Sequence, residues 1–153
     1  MEFRQDNLQG AEIAAFLQEH LEDMYASSPP ESVHALNITK LRQRNITFWT
    51  AWEKDTLIGC GALKTLSPAH AELKSMRITK HQRRNGAGSQ LLMHLINEAK
   101  KSGYQKLSLE TGSVGFFEPA RKLYEKFGFI YCGPFGEYQQ DPFSVFMQLE
   151  LKL

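Results

Sequence analysis

The stretch from Glu72 to Gly88, Glu-Leu-Lys-Ser-Met-Arg-Ile-Thr-Lys-His-Gln-Arg-Arg-Asn-Gly-Ala-Gly, decides the reading of this chain. Its first half alternates, with Leu73, Ser75, Arg77 and Thr79 on one face and Glu72, Lys74, Met76 and Ile78 on the other, and so predicts a strand over 71–79. A short basic turn follows. Gly86-Ala87-Gly88 then opens a segment in which Leu91, Leu92, Leu95, Ile96 and Ala99 recur at helical spacing. Lys100 and Lys101 in the last turn and Gly103 beyond it predict a helix over 86–102. The unit is strand, glycine turn, helix.

Glycines before a helix let a ligand approach the backbone, and the helix's first free N–H groups and dipole favour an anion there. Lys80, Arg83 and Arg84 add positive charge beside that point. A ligand with several phosphates suits it better than a single carboxylate.

Outward from this unit, two strand-like runs over 46–53 and 57–66 precede it, separated by a hairpin at Lys54-Asp55-Thr56. Gly59 and Gly61 in the second run mark a bulge or a close backbone approach. A strand over 106–110 follows the helix and is expected to lie parallel to 71–79. A helix with Pro119 in its first turn runs to Phe127, and strands follow over 129–132 and 143–151. Before 46 the pattern gives a short strand at 1–5, a helix over 9–24, a Pro29-Pro30 loop and a short helix over 36–44.

These 153 residues suit one domain over 1–153, able to bury roughly 70% of its unfolded surface. A net charge of +1, with both signs spread along the chain, indicates neither a nucleic-acid groove nor a polybasic membrane patch. The first residues lack the basic and apolar regions of a signal peptide, and no apolar run approaches the ~20 residues that span a bilayer. Cys60 and Cys132 lie far apart in apolar contexts and read as packed thiols, which suits a cytoplasmic location. The five histidines and two cysteines form no zinc-ligand spacing, so no metal is expected.

Arg83-x-x-Gly86-x-Gly88 after a strand ending Met76-Arg77-Ile78 resembles the acetyl-coenzyme A signature of the GNAT superfamily of N-acetyltransferases. Leu123-Tyr124-Glu125-Lys126-Phe127-Gly128-Phe129 resembles the superfamily's Leu-Tyr-x-x-x-Gly-Phe helix end. The resemblance implies an α/β (α+β) fold: a mixed, mostly antiparallel sheet with a central parallel β-strand pair, flanked by helices. It implies acetyl transfer from acetyl-CoA, the co-substrate, to a primary amine of a small molecule or peptide, by direct attack through a tetrahedral intermediate. Cofactor contacts then fall to the backbone of Met76 and Ile78, where the two parallel strands splay, and to Arg83, Arg84, Asn85, Gly86, Ala87, Gly88 and Ser89.

The amine needs a base, because it is mostly protonated near neutral pH. Counted back from Arg83, Glu72 matches the carboxylate of the protein-lysine-acetylating members; its alternative reading is a strand-start carboxylate paired with Lys74. Glu110 on the neighbouring strand is the rival. Tyr124 falls on the matching position of the second signature, and a phenol that titrates near ~10 holds a proton to share with the departing sulfur; its alternative is a core aromatic. The early helix and loop usually form much of the acceptor site in the superfamily, which points to His20, Asp23, Tyr25, Glu31 and His34, with Arg77 and Glu110 as further substrate-binding candidates and the loop over 133–138 as a cover for the same site. Superfamily members are often dimers, and the closing strands could pair between subunits. Two rivals stand beside this reading. A dinucleotide-binding domain would use Glu110 as its ribose acid but lacks a glycine at position 91, which is Leu91. A non-catalytic acetyl-CoA sensor would keep the fold alone.

Overall fold

The computed structural model describes residues 1–33, 37–79 and 86–152. Seven strands form one sheet in the order β1-β2-β3-β4-β5-β7-β6. They are β1 (Glu2–Gln5), β2 (Ile46–Glu53), β3 (Thr56–Ser67), β4 (His70–Ile78), β5 (Lys106–Gly112), β6 (Ile130–Cys132) and β7 (Ser144–Glu150). Every neighbouring pair is antiparallel except β4 and β5, which are parallel as the strand-helix-strand unit predicts. The helices are α1 (Ala11–Ser27), α2 (Ile38–Leu41), α3 (Ala87–Lys101) and α4 (Glu118–Lys126). The helix expected over 9–24 starts at Ala11 and runs on to Ser27. No helix among the described residues is long and apolar enough to cross a membrane.

The core has a layer on each side of the sheet. On one, Leu91, Leu92, Leu95, Ile96 and Ala99 of α3 pack with Leu63, Leu73, Ile78, Leu107 and Leu109. On the other, Ile13, Phe16 and Leu17 of α1 pack with Phe48, Cys60 and Ala62. A Cβ on Gly61 would lie 2.6 Å from Leu95 Cδ1, so this glycine allows α3 to seat close against β3. Cys60 and Cys132 are free thiols.

The simple alternation expected along 71–79 is corrected by a β-bulge. Lys74 pairs with Ala62 but Arg77 pairs with Cys60, so Ser75 and Met76 together oppose Gly61. Ser75 takes the extra turn with φ of 56°, in the left-handed region. A one-residue insertion inverts the faces beyond it. Leu73 and Ile78 therefore share the α3 side, while Glu72, Lys74 and Arg77 share the α1 side.

Candidate active site

The parallel register of β4 and β5 runs from His70 opposite Lys106 to Leu73 opposite Leu109 and then stops. Beyond it β4 continues to Ile78 and β5 to Gly112, so the strands diverge. The gap is the mouth of a cleft of about 270 Å³. Residues 73–78 line one wall, Glu110 and Thr111 the other, and Gly88 of α3 and Ala120, Leu123 and Tyr124 of α4 close one end. His20 and Met24 of α1 and Phe116 border the opposite end.

At the α3 end the helix start presents backbone to the cleft. Gly86 caps the helix with φ of +79°, and no side chain caps its first amides. A Cβ at Gly86 would meet no atom of the described residues within 4 Å. Free N–H groups at the start of a 15-residue helix, next to a gap between strands, fit a phosphate-bearing ligand with an extended arm. Ala87 is buried in the core, Gly88 lines the cleft, and Ser89 faces a shallow groove with Phe3, Gln90, Met93 and His94. Met76 and Ile78 line the cleft as expected. Arg83, Arg84, Asn85 and His34 lie outside the described residues.

The two carboxylates of the cleft differ sharply in environment. Glu72 is almost fully buried, and its Oε2 accepts from Lys74 Nζ at 3.1 Å and from the Tyr138 hydroxyl at 2.5 Å. Lys74 Nζ also donates to the Tyr138 oxygen at 2.7 Å, closing a three-membered ring of hydrogen bonds. The pairing with Lys74 is the alternative that the sequence offered for Glu72. Burial and then the charge of Glu72 push the Tyr138 phenol far above its usual value. Glu110 has no such ring. Burial pushes its carboxyl up to about 7, the negative charges of Glu72 and Asp141 add to the rise, and only the Ser144 hydroxyl and the more distant Lys74 ammonium oppose it.

Tyr124 is also buried and lines the same cleft, with its ring against Phe129. Burial first and the Glu110 charge second raise its phenol well above 10, so it keeps its proton at neutral pH. Arg77 does not present a free guanidinium to the cleft. Its Nη1 lies 2.8 Å from Asp23 Oδ2 and its Nη2 lies 3.1 Å from Glu19 Oε1. Tyr25 is 55% exposed and does not line the cleft. Among the described residues no group of three or more His, Cys, Asp or Glu side chains could hold a metal ion.

The loop over 133–138 is expected from the sequence to cover the acceptor site, but sequence reasoning does not pair its Tyr138 with Lys74 and Glu72, and it passes over the meeting of Asp141 with Ser32, whose Oγ donates to Asp141 Oδ2 at 2.7 Å.

Residues 13–129 match the model of the acetyltransferase (GNAT) family. The chain belongs to the GNAT family. An uncharacterised N-acetyltransferase of Bacillus subtilis strain 168 is 55% identical over 151 residues, covering 99% of this chain and 100% of the relative. A crystal structure from Klebsiella pneumoniae, of a protein assigned to the acyl-CoA N-acyltransferases, superposes with a TM-score of 0.79 at 24% identity, over 99% of this chain and 97% of the other. A GNAT acetyltransferase from Elizabethkingia anophelis, solved with acetyl-CoA bound, gives a TM-score of 0.66 at 18% identity, over 98% and 97% of the two chains. The enzyme is an acyltransferase of the N-acetyltransferase type, with acetyl-CoA as co-substrate. Membership of this family displaces the dinucleotide-binding alternative.

Proposed function

We propose that this GNAT enzyme acetylates a primary amine on a small molecule, with Glu110 taking the amine's proton and Tyr124 returning one to the departing sulfur. The single observation that carries the assignment is the contrast between the carboxylates: Glu110 holds its proton up to about 7, whereas Glu72 is bound by Lys74 and Tyr138. A base works best when its proton affinity lies near the working pH. In this reading Glu110 supplants Glu72 as the base, and Glu72 and Lys74 form the floor of the acceptor end.

The amides of Gly86, Ala87, Gly88 and Ser89 hold the pyrophosphate at the α3 N-terminus, with Arg83, Arg84 and Asn85 assigned to the same phosphates. The backbone of Met76 and Ile78 receives the pantetheine arm along the unpaired edge of β4. That arm supplies the acetyl thioester. The amine nitrogen bonds to the acetyl carbon, the carbon–sulfur bond breaks, the amine proton passes to Glu110, and the thiolate takes the Tyr124 proton. His20, Asp23 and Met24 stand at the acceptor end, and the modest cleft suits a small amine rather than a folded protein surface.

The test is coenzyme release and acetyl-amine formation across a panel of primary amines. Glu110→Gln is expected to lower turnover of the best amine by roughly 10²- to 10⁴-fold, and Glu72→Gln by far less. A larger loss in Glu72→Gln than in Glu110→Gln would return the base to Glu72. No transfer to any amine, with acetyl-CoA still bound, would favour the sensor.

A further inference from the structure

α1 is built in two unlike halves. Its buried side chains, Ile13, Phe16 and Leu17, all fall in the first half and enter the core. From Gln18 to Ser27 no side chain is buried, yet this half carries His20 and Met24 to the border of the cleft. Apolar packing therefore does not fix its position. A guanidinium from β4 is placed to do so. The Arg77 side chain is 4% exposed, its two Nη atoms pair with Asp23 at 2.8 Å and Glu19 at 3.1 Å, and its charge lies 5.7 Å from the centre of the Phe16 ring. His20 Nδ1 stands 3.5 Å from Nη1. The β-bulge at Ser75 puts Arg77 on this side of the sheet; without it the side chain would face α3. Its Nε is buried with no hydrogen-bond partner among the described residues, a cost accepted where the fork must point at α1.

A second tether secures the far end of the same wall. Ser32, buried in the 3-10 turn Pro30–Ser32 just beyond α1, donates to Asp141 across 109 positions of sequence. Asp141 is itself fixed at the start of β7, where its Oδ1 accepts from Phe143 N–H and its carbonyl from Ser144 N–H.

We propose that Arg77 is a positioning residue for acceptor binding: it latches the second half of α1 over the cleft as the acceptor wall, and the Ser32–Asp141 bond holds the end of that wall. Arg77 lines the cleft but turns its guanidinium to α1, so its role is one of positioning, and acceptor affinity depends on an ion pair that touches neither reacting atom. The acceptor part rests on the acetyl-transfer reading above; the latch itself does not.

Two measurements keep the two apart. Hydrogen exchange is compared for the intact wild-type chain, Arg77→Met, Arg77→Lys, Asp23→Asn and Ser32→Ala; Asp23 is partly exposed and Ser32, though buried, gives up a single hydrogen bond on truncation, so these two variants serve if loss of the buried guanidinium unfolds the chain. The expected result is faster exchange, by about 10-fold or more, confined to 18–32, with α3 unchanged and Arg77→Lys intermediate. With the best amine of the panel, KM for the amine rises about 10-fold in Arg77→Met and about 3-fold in Asp23→Asn and Ser32→Ala, while kcat and the calorimetric Kd for acetyl-CoA stay within about 3-fold. Unchanged exchange over 18–32 in the folded variants would overturn the latch. An equal loss of acetyl-CoA affinity, or a fall in kcat with KM unchanged, would overturn its acceptor role. If no amine is turned over, the acetyl-transfer reading fails, and the exchange pattern still decides the latch.

Discussion

The coenzyme end and the acceptor end of the cleft are built on opposite plans. At the end proposed for the coenzyme, the binding surface would be backbone, mounted on a helix whose inward residues Leu91, Leu92 and Leu95 are wholly buried. At the end proposed for the acceptor, polar and charged side chains hold one another: Arg77 with Asp23 and Glu19, Lys74 with its near neighbour Glu72 and the distant Tyr138, Ser32 with the distant Asp141. Apolar packing carries no pairing requirement between specific side chains, whereas a buried ion pair leaves an uncompensated charge when one partner is removed. On the proposed assignment, the cofactor site rests on a packed helix while the acceptor site is set by a few replaceable pairs.

The largest effect should come from breaking the buried ring. Lys74→Met leaves the Glu72 carboxylate buried beside Tyr138, and is expected to destabilise the protein by about 3–5 kcal/mol in urea melts at neutral pH. Acetyl-CoA affinity should survive wherever the variant remains folded. Loss of stability under about 1 kcal/mol would mean that the ring is not a closed network. Next in size, Tyr124→Phe removes a proton donor but no packing, so kcat should fall roughly 100-fold, or about 2.7 kcal/mol, with calorimetric acetyl-CoA affinity within about 3-fold. Gly86→Val tests the opposite end. A β-branched residue at φ of +79° costs about 1–2 kcal/mol of stability, and its side chain stands beside the α3 amides. Acetyl-CoA affinity should drop at least ~10-fold, and acceptor KM measured at saturating acetyl-CoA should not move.

The remaining effect, which vanishes at acid pH, is a stability change with a definite sign. The Glu110 carboxyl is raised from 4.5 to about 7 in the folded state, so the fold binds this proton more tightly than the unfolded chain. That contribution is fully present below 4.5, declines as the pH rises, and is gone above about 7. Glu110→Gln should therefore gain on wild type as the pH rises, reaching about 1–3 kcal/mol, or a few degrees in Tm, near pH ~8. Parallel melting curves that do not diverge with pH would place Glu110 in a solvated environment.

The same division explains what could be read from the sequence. The strand and helix that flank the glycine turn were legible because their information is local: the signals lie within Glu72–Lys101, and the helical spacing of Leu91, Leu92, Leu95, Ile96 and Ala99 translates directly into burial. The sheet's parallel pair followed from the same unit. Ser75 defeated the pattern, since nothing in a serine announces a bulge, and the inverted faces beyond it moved Arg77 to the α1 side. Glu72 drew attention by its place relative to Arg83, but its environment depends on Tyr138, 66 residues away in sequence. Ser32 and Asp141 were beyond reach for the same reason. Periodicity reports which side of an element is buried; it does not report which polar side chains meet across loops.

The most direct test of the account is the pH dependence of kcat/KM for the best amine acceptor, measured in wild type and in Glu110→Gln. A limb that rises to a plateau with a midpoint near 7, absent from the much slower Glu110→Gln enzyme, is the result expected if Glu110 takes the proton. The same limb persisting in Glu110→Gln and vanishing in Glu72→Gln would contradict it.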